Sequence, residues 1–202
     1  RLREFAMRNR LPHTWIDLER DERAEQLLRS LDIAPEDVPV VIWHGEKVLR
    51  NPTNTELARI VGLSVPNAAQ DVFDLVVVGA GPAGLAASVY GASDGLNTVT
   101  LETIAAGGQA STSSRIENYL GFPAGISGSE LAERAVIQAD KFGARILVSA
   151  EVTGLTSEAG YHVLRLSDGG TVRGRSIVLA TGARYRKLAV PGIEALEGTS
   201  VY

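Results

Sequence analysis

The hydrophobic and polar positions of this chain follow different patterns on the two sides of residue 70. Before it, apolar residues are interleaved with charges, at helical spacing in some stretches and at alternating spacing in others. After it, they gather into nearly continuous runs separated by glycine-rich turns. Such runs are typical of strands that are buried on both faces of a parallel sheet. The pattern predicts an α/β protein in two parts, residues 1–64 and 73–202, joined by a linker at 65–72.

Charge and glycine content change at the same place. Of the first 72 residues 22 are charged, against 22 of the remaining 130, and 19 of the 21 glycines follow residue 72. The stretch from Ser64 to Asp71 is small, polar and contains a proline, as linkers often do. These changes support the predicted boundary.

Helical and strand-like patterns alternate in the first part, where Asp21 is a candidate N-cap. The predicted elements are a helix ending near Asn9, a strand over His13–Leu18 that buries Trp15, a helix over Glu22–Leu31, a strand over Val38–Trp43, a turn over His44–Lys47, a strand over Val48–Arg50, and a helix over Glu56–Val61 capped by Asn54 or Thr55 and closed by Gly62.

The second part is predicted to form a parallel sheet with a small antiparallel meander. Its predicted elements are a strand over Phe73–Val78, a helix over Leu85–Ala92, a strand over Asn97–Glu102, a helix over Ser129–Phe142 ending at Gly143, a strand over Arg145–Val148, meander strands over Val152–Thr156, Tyr161–Leu166 and Thr171–Arg173, and a buried strand over Ser176–Ala180.

A glycine motif lies between the first strand and the first helix of the second part. Residues 79–84 read Gly-Ala-Gly-Pro-Ala-Gly, which is G-x-G-x-x-G between a predicted strand and a predicted helix. Gly79 allows a tight turn, Gly81 lets a pyrophosphate approach the backbone, and Gly84 lets the helix pack closely on the sheet. Free N–H groups and the helix dipole would favour the phosphates. The motif predicts a dinucleotide site.

An acidic residue ends the next predicted strand. Glu102 lies 23 residues after Gly79, and a carboxylate at this place can accept hydrogen bonds from ribose hydroxyls. The combination of strand, glycines, helix, strand and acid is much more specific than the glycine motif alone. It predicts that Glu102 binds the ribose of the dinucleotide.

Composition excludes several classes of function. The formal net charge is −4, whereas nucleic-acid-binding proteins usually carry a basic stripe. The sequence contains no cysteine, which excludes a disulfide scaffold, cysteine-ligated zinc and a cysteine nucleophile within these residues. No apolar run approaches the roughly 20 residues that span a bilayer, so we expect no membrane segment and a cytoplasmic location. Because His13, His44 and His162 are scattered, no metal site is predicted.

Further motifs of the second part resemble those of the low-molecular-weight thioredoxin reductase family. They are Gly107-Gly108-Gln109, Ile116–Pro123, Leu179–Ala183 and Val190-Pro191-Gly192, and the resemblance covers residues 73–202. It implies a Rossmann-type FAD-binding domain of the glutathione and thioredoxin reductase kind. The family inserts a separate NAD(P)H domain, and we expect that domain and the redox Cys-x-x-Cys to lie in a longer parent protein.

The resemblance also implies roles toward FAD for residues that match the family's motifs. Gly79, Gly81, Pro82, Ala83 and Gly84 would hold the pyrophosphate, Glu102 the adenosine ribose, and the backbone of Val152 the adenine. Gly108 and Gln109 would lie along the flavin side, and Asn118 would hydrogen-bond toward the isoalloxazine or ribityl chain. Ala180, Thr181 and Gly182, at the end of the last strand, would lie near the cofactor. Read without the family, Gln109 and Asn118 are better interpreted as turn-capping residues. The basic cluster Arg184, Arg186 and Lys187 suits a solvated loop or a contact with FAD phosphates or the NAD(P)H domain.

The first part resembles the thioredoxin and glutaredoxin fold without its first strand. The order of its elements and the dipeptide Val38-Pro39 carry this resemblance over about 62 residues. In that family the proline is cis, and X–Pro is the peptide bond for which cis is least costly; a plain strand-edge proline is the other interpretation. The family's Cys-x-x-Cys is not present, so the resemblance implies a fold without thiol chemistry.

These observations lead to an expected enzyme and two alternatives. The resemblance implies part of an FAD-dependent NAD(P)H oxidoreductase, in which electrons pass from nicotinamide through FAD to a disulfide. Its partner would be a thioredoxin-like or other protein acceptor, and the family implies a homodimer. One alternative passes the electrons to a protein carrier or a quinone. The other is a non-catalytic flavin-based redox sensor or adaptor, with the cysteine-free first part as its docking surface.

Overall fold

The computed structural model describes residues 1–18, 20–63, 72–183, 190 and 192–193. The helices are α1 (Leu2–Arg8), α2 (Glu22–Ser30), α3 (Asn54–Ile60), α4 (Pro82–Ser93) and α5 (Gly128–Lys141). The strands are β1 (Val40–Trp43), β2 (Lys47–Arg50), β3 (Val72–Val78), β4 (Thr98–Glu102), β5 (Arg145–Val148), β6 (Val152–Glu158), β7 (Tyr161–Leu166) and β8 (Thr171–Leu179). Apart from Val72, the predicted linker lies outside the described residues, as does the basic cluster at 184–187.

A six-stranded sheet organises the second part of the chain. Its strand order is β5-β4-β3-β8-β7-β6. Strands β5, β4, β3 and β8 are parallel, whereas β7 and β6 continue the sheet in antiparallel fashion. The chain therefore moves from β3 to one side and returns to the other, which makes β3 the point where the strand order reverses. This arrangement confirms the predicted α/β class and the Rossmann-type sheet.

Strand β3 is buried because both faces of the sheet are covered. Val76 and Val77 point to opposite faces and are both fully buried. On one face, α4 packs through small side chains, and its buried Ser88 lies against Thr100 of β4. The apolar cluster that contains Val76 is made of Phe73, Val76, Val78, Val99, Leu101, Leu147, Ala150, Leu164 and Val172. A run of apolar residues at β3 is what this two-sided burial requires.

Strand β8 corrects one detail of the predicted meander. Two separate strands were expected at Thr171–Arg173 and Ser176–Ala180, but a single strand runs through Gly174. It stays continuous because β7 pairs with its first half and β3 with its second half. A Cβ at Gly174 would lie 2.6 Å from Cγ2 of Val76. The glycine therefore permits close packing and does not break the strand.

The first part of the chain has the order helix, helix, hairpin and helix, which is the predicted order without the strand expected at His13–Leu18. Asp21 caps α2, since its Oδ1 accepts a hydrogen bond from the Ala24 N–H at 3.2 Å. Strands β1 and β2 form the predicted hairpin as a separate two-stranded sheet. The Val38–Pro39 peptide bond is cis, in agreement with the expectation for this dipeptide.

The predicted strand at His13–Leu18 is wrong. These residues form no regular element, and Trp15, which was expected in a core, is about half exposed at 51%, as is its neighbour Ile16 at 48%. Among the described residues β1 pairs only with β2, so no strand offers hydrogen bonds to this stretch. Alternating side chains alone do not produce a strand, because its backbone groups need partners.

The predicted cap of α3 is also wrong, by one residue. Thr53, and not Asn54 or Thr55, is the N-cap, and its Oγ1 accepts a hydrogen bond from the Glu56 N–H at 3.1 Å. Glu56 completes a capping box by accepting from the Thr53 N–H at 2.7 Å. The hydrogen bonds from the backbone and side chain of Thr53 lower the pKa of Glu56 below its ordinary value.

The first part of the chain packs against the β5 edge of the large sheet. Leu2, Phe5, Leu57 and Ala58 form one buried cluster with Val148 of β5. Three polar contacts accompany this cluster. They are Val148 N–H to the Leu63 carbonyl at 3.2 Å, Thr55 Oγ1 to Ser149 Oγ at 3.2 Å, and Arg59 to Asp168 at 2.9 Å.

We expect Phe5 to hold α1 in place. Phe5 is fully buried, and truncation of a buried Phe costs about 3 to 5 kcal/mol. Phe5→Ala should therefore destabilise the first part strongly. Met7→Ala is the matched control in the same helix, because Met7 is 59% exposed and should change stability by no more than about 0.5 kcal/mol. Urea unfolding followed by tryptophan fluorescence suits this test, since both tryptophans, Trp15 and Trp43, lie in the first part; equal midpoints for the two variants would contradict it.

Candidate dinucleotide-binding site

The glycine motif lies at the carboxyl end of β3, where the strand order reverses. The Gly79 N–H donates to the Leu101 carbonyl of β4 at 2.8 Å, and the Ala180 N–H donates to the Val78 carbonyl of β3 at 2.8 Å. The ends of β3, β4 and β8 are thereby joined around one turn. Ligands of open α/β sheets bind in the crevice outside such strand ends.

Close backbone contacts explain two of the three glycines in the motif. A Cβ at Gly79 would collide with the Ala180 carbonyl, and the φ of +103° at Gly79 is one that other residues rarely adopt. A Cβ at Gly84 would collide with the Gly79 carbonyl. Both contacts involve backbone atoms, which cannot rotate away as a side chain can. The predicted structural roles of Gly79 and Gly84 are consistent with this geometry.

The start of α4 presents an anion cradle. Its N-cap is Gly81, whose position carries no side-chain cap, and Pro82 follows at the first helical position. The N–H groups of Ala83 and Gly84 belong to the first turn, which has no acceptors within its own helix. A Cβ on Gly81 would have only the Gly108 Cα nearby, at 4.0 Å. An open backbone with donors at a helix N-terminus is suited to a pyrophosphate.

Glu102 ends β4 beside this turn, as the sequence predicts. Its Oε2 accepts a hydrogen bond from the Ala80 N–H at 2.7 Å, and its Oε1 accepts one from the Ile104 N–H at 3.1 Å. The two bonds fix the orientation of the carboxylate. Each carboxylate oxygen can accept more than one hydrogen bond, so the group keeps capacity for the two hydroxyls of a ribose.

A second glycine turn lies against the first. The Gly107 N–H donates to the Ala80 carbonyl at 2.7 Å. A Cβ on Gly108 would lie 2.9 Å from the Gly81 Cα, so two glycine backbones are in direct contact. Gln109 reaches the residues after β8, because its Nε2 donates to the Ala183 carbonyl at 2.5 Å. Thr181 and Gly182, which precede that carbonyl, are exposed.

Val152 and Asn118 differ in how they are placed relative to the strand ends that form the site. The Ala150 N–H donates to the Glu102 carbonyl at 2.9 Å, which places the start of β6, at Val152, next to the β4 end. Asn118 is exposed in the loop before α5 and has no hydrogen-bond partner among the described residues. The structure therefore brings Val152 toward the site and leaves Asn118 without a contact to it. The roles of both residues toward a cofactor stay predictions.

Sequence analysis missed two residues of the site. Ala80 donates to Glu102 and accepts from Gly107, and Ile104 donates to Glu102. Ala80 and Ile104 make these contacts through their own backbone atoms, so their residue types do not indicate this role. The position of Ala80 between the first two glycines of the motif is the one available indication.

The histidines take part in local contacts only. His13 Nδ1 lies 2.7 Å from the Leu11 carbonyl, His162 Nδ1 lies 3.0 Å from Ser157 Oγ, and His44 packs edge-on against Trp43. Within the described ranges, no group of three acidic or histidine side chains could hold a metal ion. None of the helices described there is both long and apolar enough to cross a bilayer.

The residues of the site fit the ADP half of FAD. The helix start offers free N–H donors and no side chain, which suits a pyrophosphate, and Glu102 offers an oriented carboxylate for a ribose. The two glycine turns leave no Cβ between the approaching backbones. These features are properties of the chain itself and do not depend on family resemblance.

Comparison with known proteins gives consistent matches for the second part of the chain. The pyridine nucleotide-disulphide oxidoreductase family matches residues 73–201. A thioredoxin reductase from Treponema pallidum is 38% identical over 129 residues, which are 64% of this chain and 41% of that protein. One from Bacillus subtilis is 33% identical over 132 residues, 65% of this chain and 41% of that protein.

Solved structures give the same result. The crystal structure of T. acidophilum thioredoxin reductase matches with a TM-score of 0.58 and 35% identity, over 63% of this chain and 41% of that chain. The matched region thus spans about two fifths of the length of these relatives. The similarity supports the Rossmann-type FAD-binding fold for the second part.

The close contact at Gly84 gives a test of the site's construction. Gly84→Ala adds a Cβ against the Gly79 carbonyl, whereas Gly91→Ala adds one 2.5 Å from the mobile end of Leu75. Both glycines lie within α4 and neither has a positive φ, so backbone strain does not separate them. We expect Gly84→Ala to cost about 3 kcal/mol or more and Gly91→Ala about 1 kcal/mol. Thermal unfolding followed by circular dichroism measures both, and equal losses would contradict the assignment.

Proposed function

Since this chain belongs to the pyridine nucleotide-disulphide oxidoreductase family, we propose that it is the FAD-binding part of an NAD(P)H-dependent flavoprotein similar to thioredoxin reductase. The reaction proposed for the whole protein takes electrons from a nicotinamide and delivers them to a disulfide or another acceptor. The chain covers about two fifths of its relatives, so the activity is assigned to a protein that contains this part.

One observation carries the proposal. The uncapped start of α4 and the Glu102 carboxylate lie at adjacent strand ends, and the Ala80 N–H joins them through its 2.7 Å bond to Glu102. A pyrophosphate at Gly81 and a ribose at Glu102 are neighbours in an adenine dinucleotide. Because the helix start and the Glu102 carboxylate are adjacent, they favour an ADP moiety over an isolated phosphate or sugar.

The chain's residues would bind and orient the cofactor. When bound, the flavin supplies the two-electron redox chemistry. The N–H groups of Ala83 and Gly84 would hold the pyrophosphate, Glu102 the ribose, and the Val152 backbone the adenine. Gln109, held by the Ala183 carbonyl, would line the path toward the flavin with Gly108. Asn118 lies in an exposed loop and would contact the flavin once the cofactor is bound.

We further propose a thioredoxin-like fold for the first part of the chain. The order helix, helix, hairpin, helix supports it. Residues 1–64 contain no cysteine, and the role we propose for them is docking. Because the relatives are named thioredoxin reductases, we propose a thioredoxin-like protein as acceptor. A homodimeric assembly, which the family resemblance implies, also belongs to the proposal.

The cysteine-free first part favours one second candidate. A flavin-based redox sensor or adaptor needs a cofactor site and a docking surface but no thiols in the docking part. NAD(P)H-dependent reduction of a disulfide by the longer protein would exclude this candidate. Flavin binding without any reductase activity would favour it.

The first test is whether the purified protein retains FAD. We expect the visible absorption bands of the flavin to survive incubation with FAD followed by desalting. Protein that folds, as judged by circular dichroism, yet emerges colourless would contradict the proposed cofactor site in this chain.

Glu102 gives a sharper test of the same site. Hydrogen bonds to a charged group contribute about 1.5 to 3 kcal/mol, so Glu102→Ala should raise the Kd for FAD roughly tenfold to hundredfold. Glu158→Ala is the control, because Glu158 is an exposed carboxylate that accepts a hydrogen bond from Thr156 at 3.1 Å and lies at the opposite end of β6 from Val152. Titration with FAD, followed by flavin fluorescence, measures both; similar Kd values for the two variants would argue against the ribose role.

A further inference from the structure

Asn9, at the end of α1, links the first part of the chain to the nucleotide site. Its side-chain Nδ2 donates two hydrogen bonds, to the Phe5 carbonyl of its own helix at 2.9 Å and to the Ile104 carbonyl at 2.9 Å. An amide NH₂ has two donor hydrogens, so both are used. The second bond crosses 95 positions of sequence and ends two residues after Glu102.

The segment that Asn9 contacts holds the site together. The Ile104 N–H donates to Glu102 Oε1 at 3.1 Å, and the Gly107 N–H donates to the Ala80 carbonyl at 2.7 Å. Between these bonds lies Ala105, which is almost fully buried. Residues 104–107 therefore connect Glu102 at one end to the glycine turn at the other. A contact that restrains Ile104 restrains the carboxylate and both turns.

Arg10 secures the same end of α1. Its guanidinium donates to the Ser129 carbonyl at 2.8 Å and pairs with Glu133 at 3.0 Å, both at the start of α5. The start of α5 in turn packs on the turn that follows Gly108, since a Cβ at Gly128 would collide with the Ala110 carbonyl. The end of α1 thus contacts both Ile104 and α5, which packs on the turn after Gly108.

The packing between the end of α1 and residues 104–107 includes an open cavity. A cavity of about 570 Å³ separates the end of α1 from α5 and β5, and Asn9 and Arg10 lie at its border together with Ala106. The packing there is open, so the individual hydrogen bonds of Asn9 carry more of the restraint than they would in a filled interface.

We propose that Asn9 is a positioning residue that holds Glu102 and the neighbouring glycine turns in the arrangement that binds FAD. This inference rests on the proposed cofactor site and adds to it a contribution from the first part of the chain. Docking of α1 and binding of the nucleotide favour the same arrangement of residues 102–108. By linkage, each must then strengthen the other by the same factor.

Two substitutions of Asn9 separate its local bond from its long-range bond. Asn9→Ala removes both bonds. Asn9→Ser keeps a hydroxyl that can donate to the Phe5 carbonyl four residues earlier, but the shorter side chain withdraws from Ile104. Arg59→Ala is the matched control, because Arg59 makes another contact between the two parts, with Asp168 at 2.9 Å, far along the chain from residues 102–108.

Two quantities are measured. One is the Kd for FAD, and the other is the amide hydrogen exchange of residues 103–108 in the absence of FAD. Loss of a neutral hydrogen bond of about 0.5 to 1.5 kcal/mol predicts a Kd raised roughly threefold to tenfold in Asn9→Ala and Asn9→Ser. Exchange at the Ile104 and Gly107 amides should accelerate by a similar factor. Arg59→Ala should leave both quantities within about twofold of the original.

Two results would overturn the inference. One is unchanged exchange of residues 103–108 in Asn9→Ser. The other is an equal loss of FAD affinity in Asn9→Ser and Arg59→Ala, which would mean that weakened docking in general is responsible. If the unsubstituted protein binds no FAD, the proposed function fails, and the exchange measurement still decides whether Asn9 restrains the segment. Asn9→Ser retains the bond within α1, so it tests the inference even if Asn9→Ala fails to fold.

Discussion

The peptide groups of Ala80 join the three loops from which the candidate site is built. The Ala80 N–H donates to Glu102 at 2.7 Å, and its carbonyl accepts from the Gly107 N–H at 2.7 Å. The turn after β3 can pass between these partners only because Gly79 and Gly84 carry no Cβ. Without this arrangement the helix start, the carboxylate and the second glycine turn would lie at separate strand ends, and no common site would exist.

The features predicted most reliably from the sequence are those set by local chemistry. A continuous apolar run predicts β3 because two-sided burial demands it, and the glycine motif predicts the turn because its geometry excludes a Cβ. The errors of prediction arise where the structure of a segment depends on strands that are distant in the sequence. Residues 13–18 alternate like a strand but have no neighbouring strand in the described chain, and Gly174 remains in β8 because β3 and β7 supply its partners.

The site residues follow the same division. Gly79, Gly84 and Glu102 could be recognised because their residue types are required by the geometry. Ala80 and Ile104 contribute only backbone atoms, so their residue types do not reveal their role. Asn9 makes a contact across 95 positions of sequence, which no local pattern can predict. The first part of the chain would accordingly contribute to the cofactor site of the second part. It covers the β5 edge and contacts the loop that orients Glu102, which offers a physical route for coupling docking to cofactor binding.

The central claim is that these strand ends recognise the ADP half of FAD. Calorimetric titration of the protein with FAD, FMN and ADP tests it most directly, because FMN has the flavin and one phosphate but lacks the adenosine. The account predicts that FAD binds, that ADP competes with it, and that FMN gives no binding at concentrations where FAD saturates. FMN binding as tight as that of FAD, or failure of ADP to displace FAD, would contradict the account.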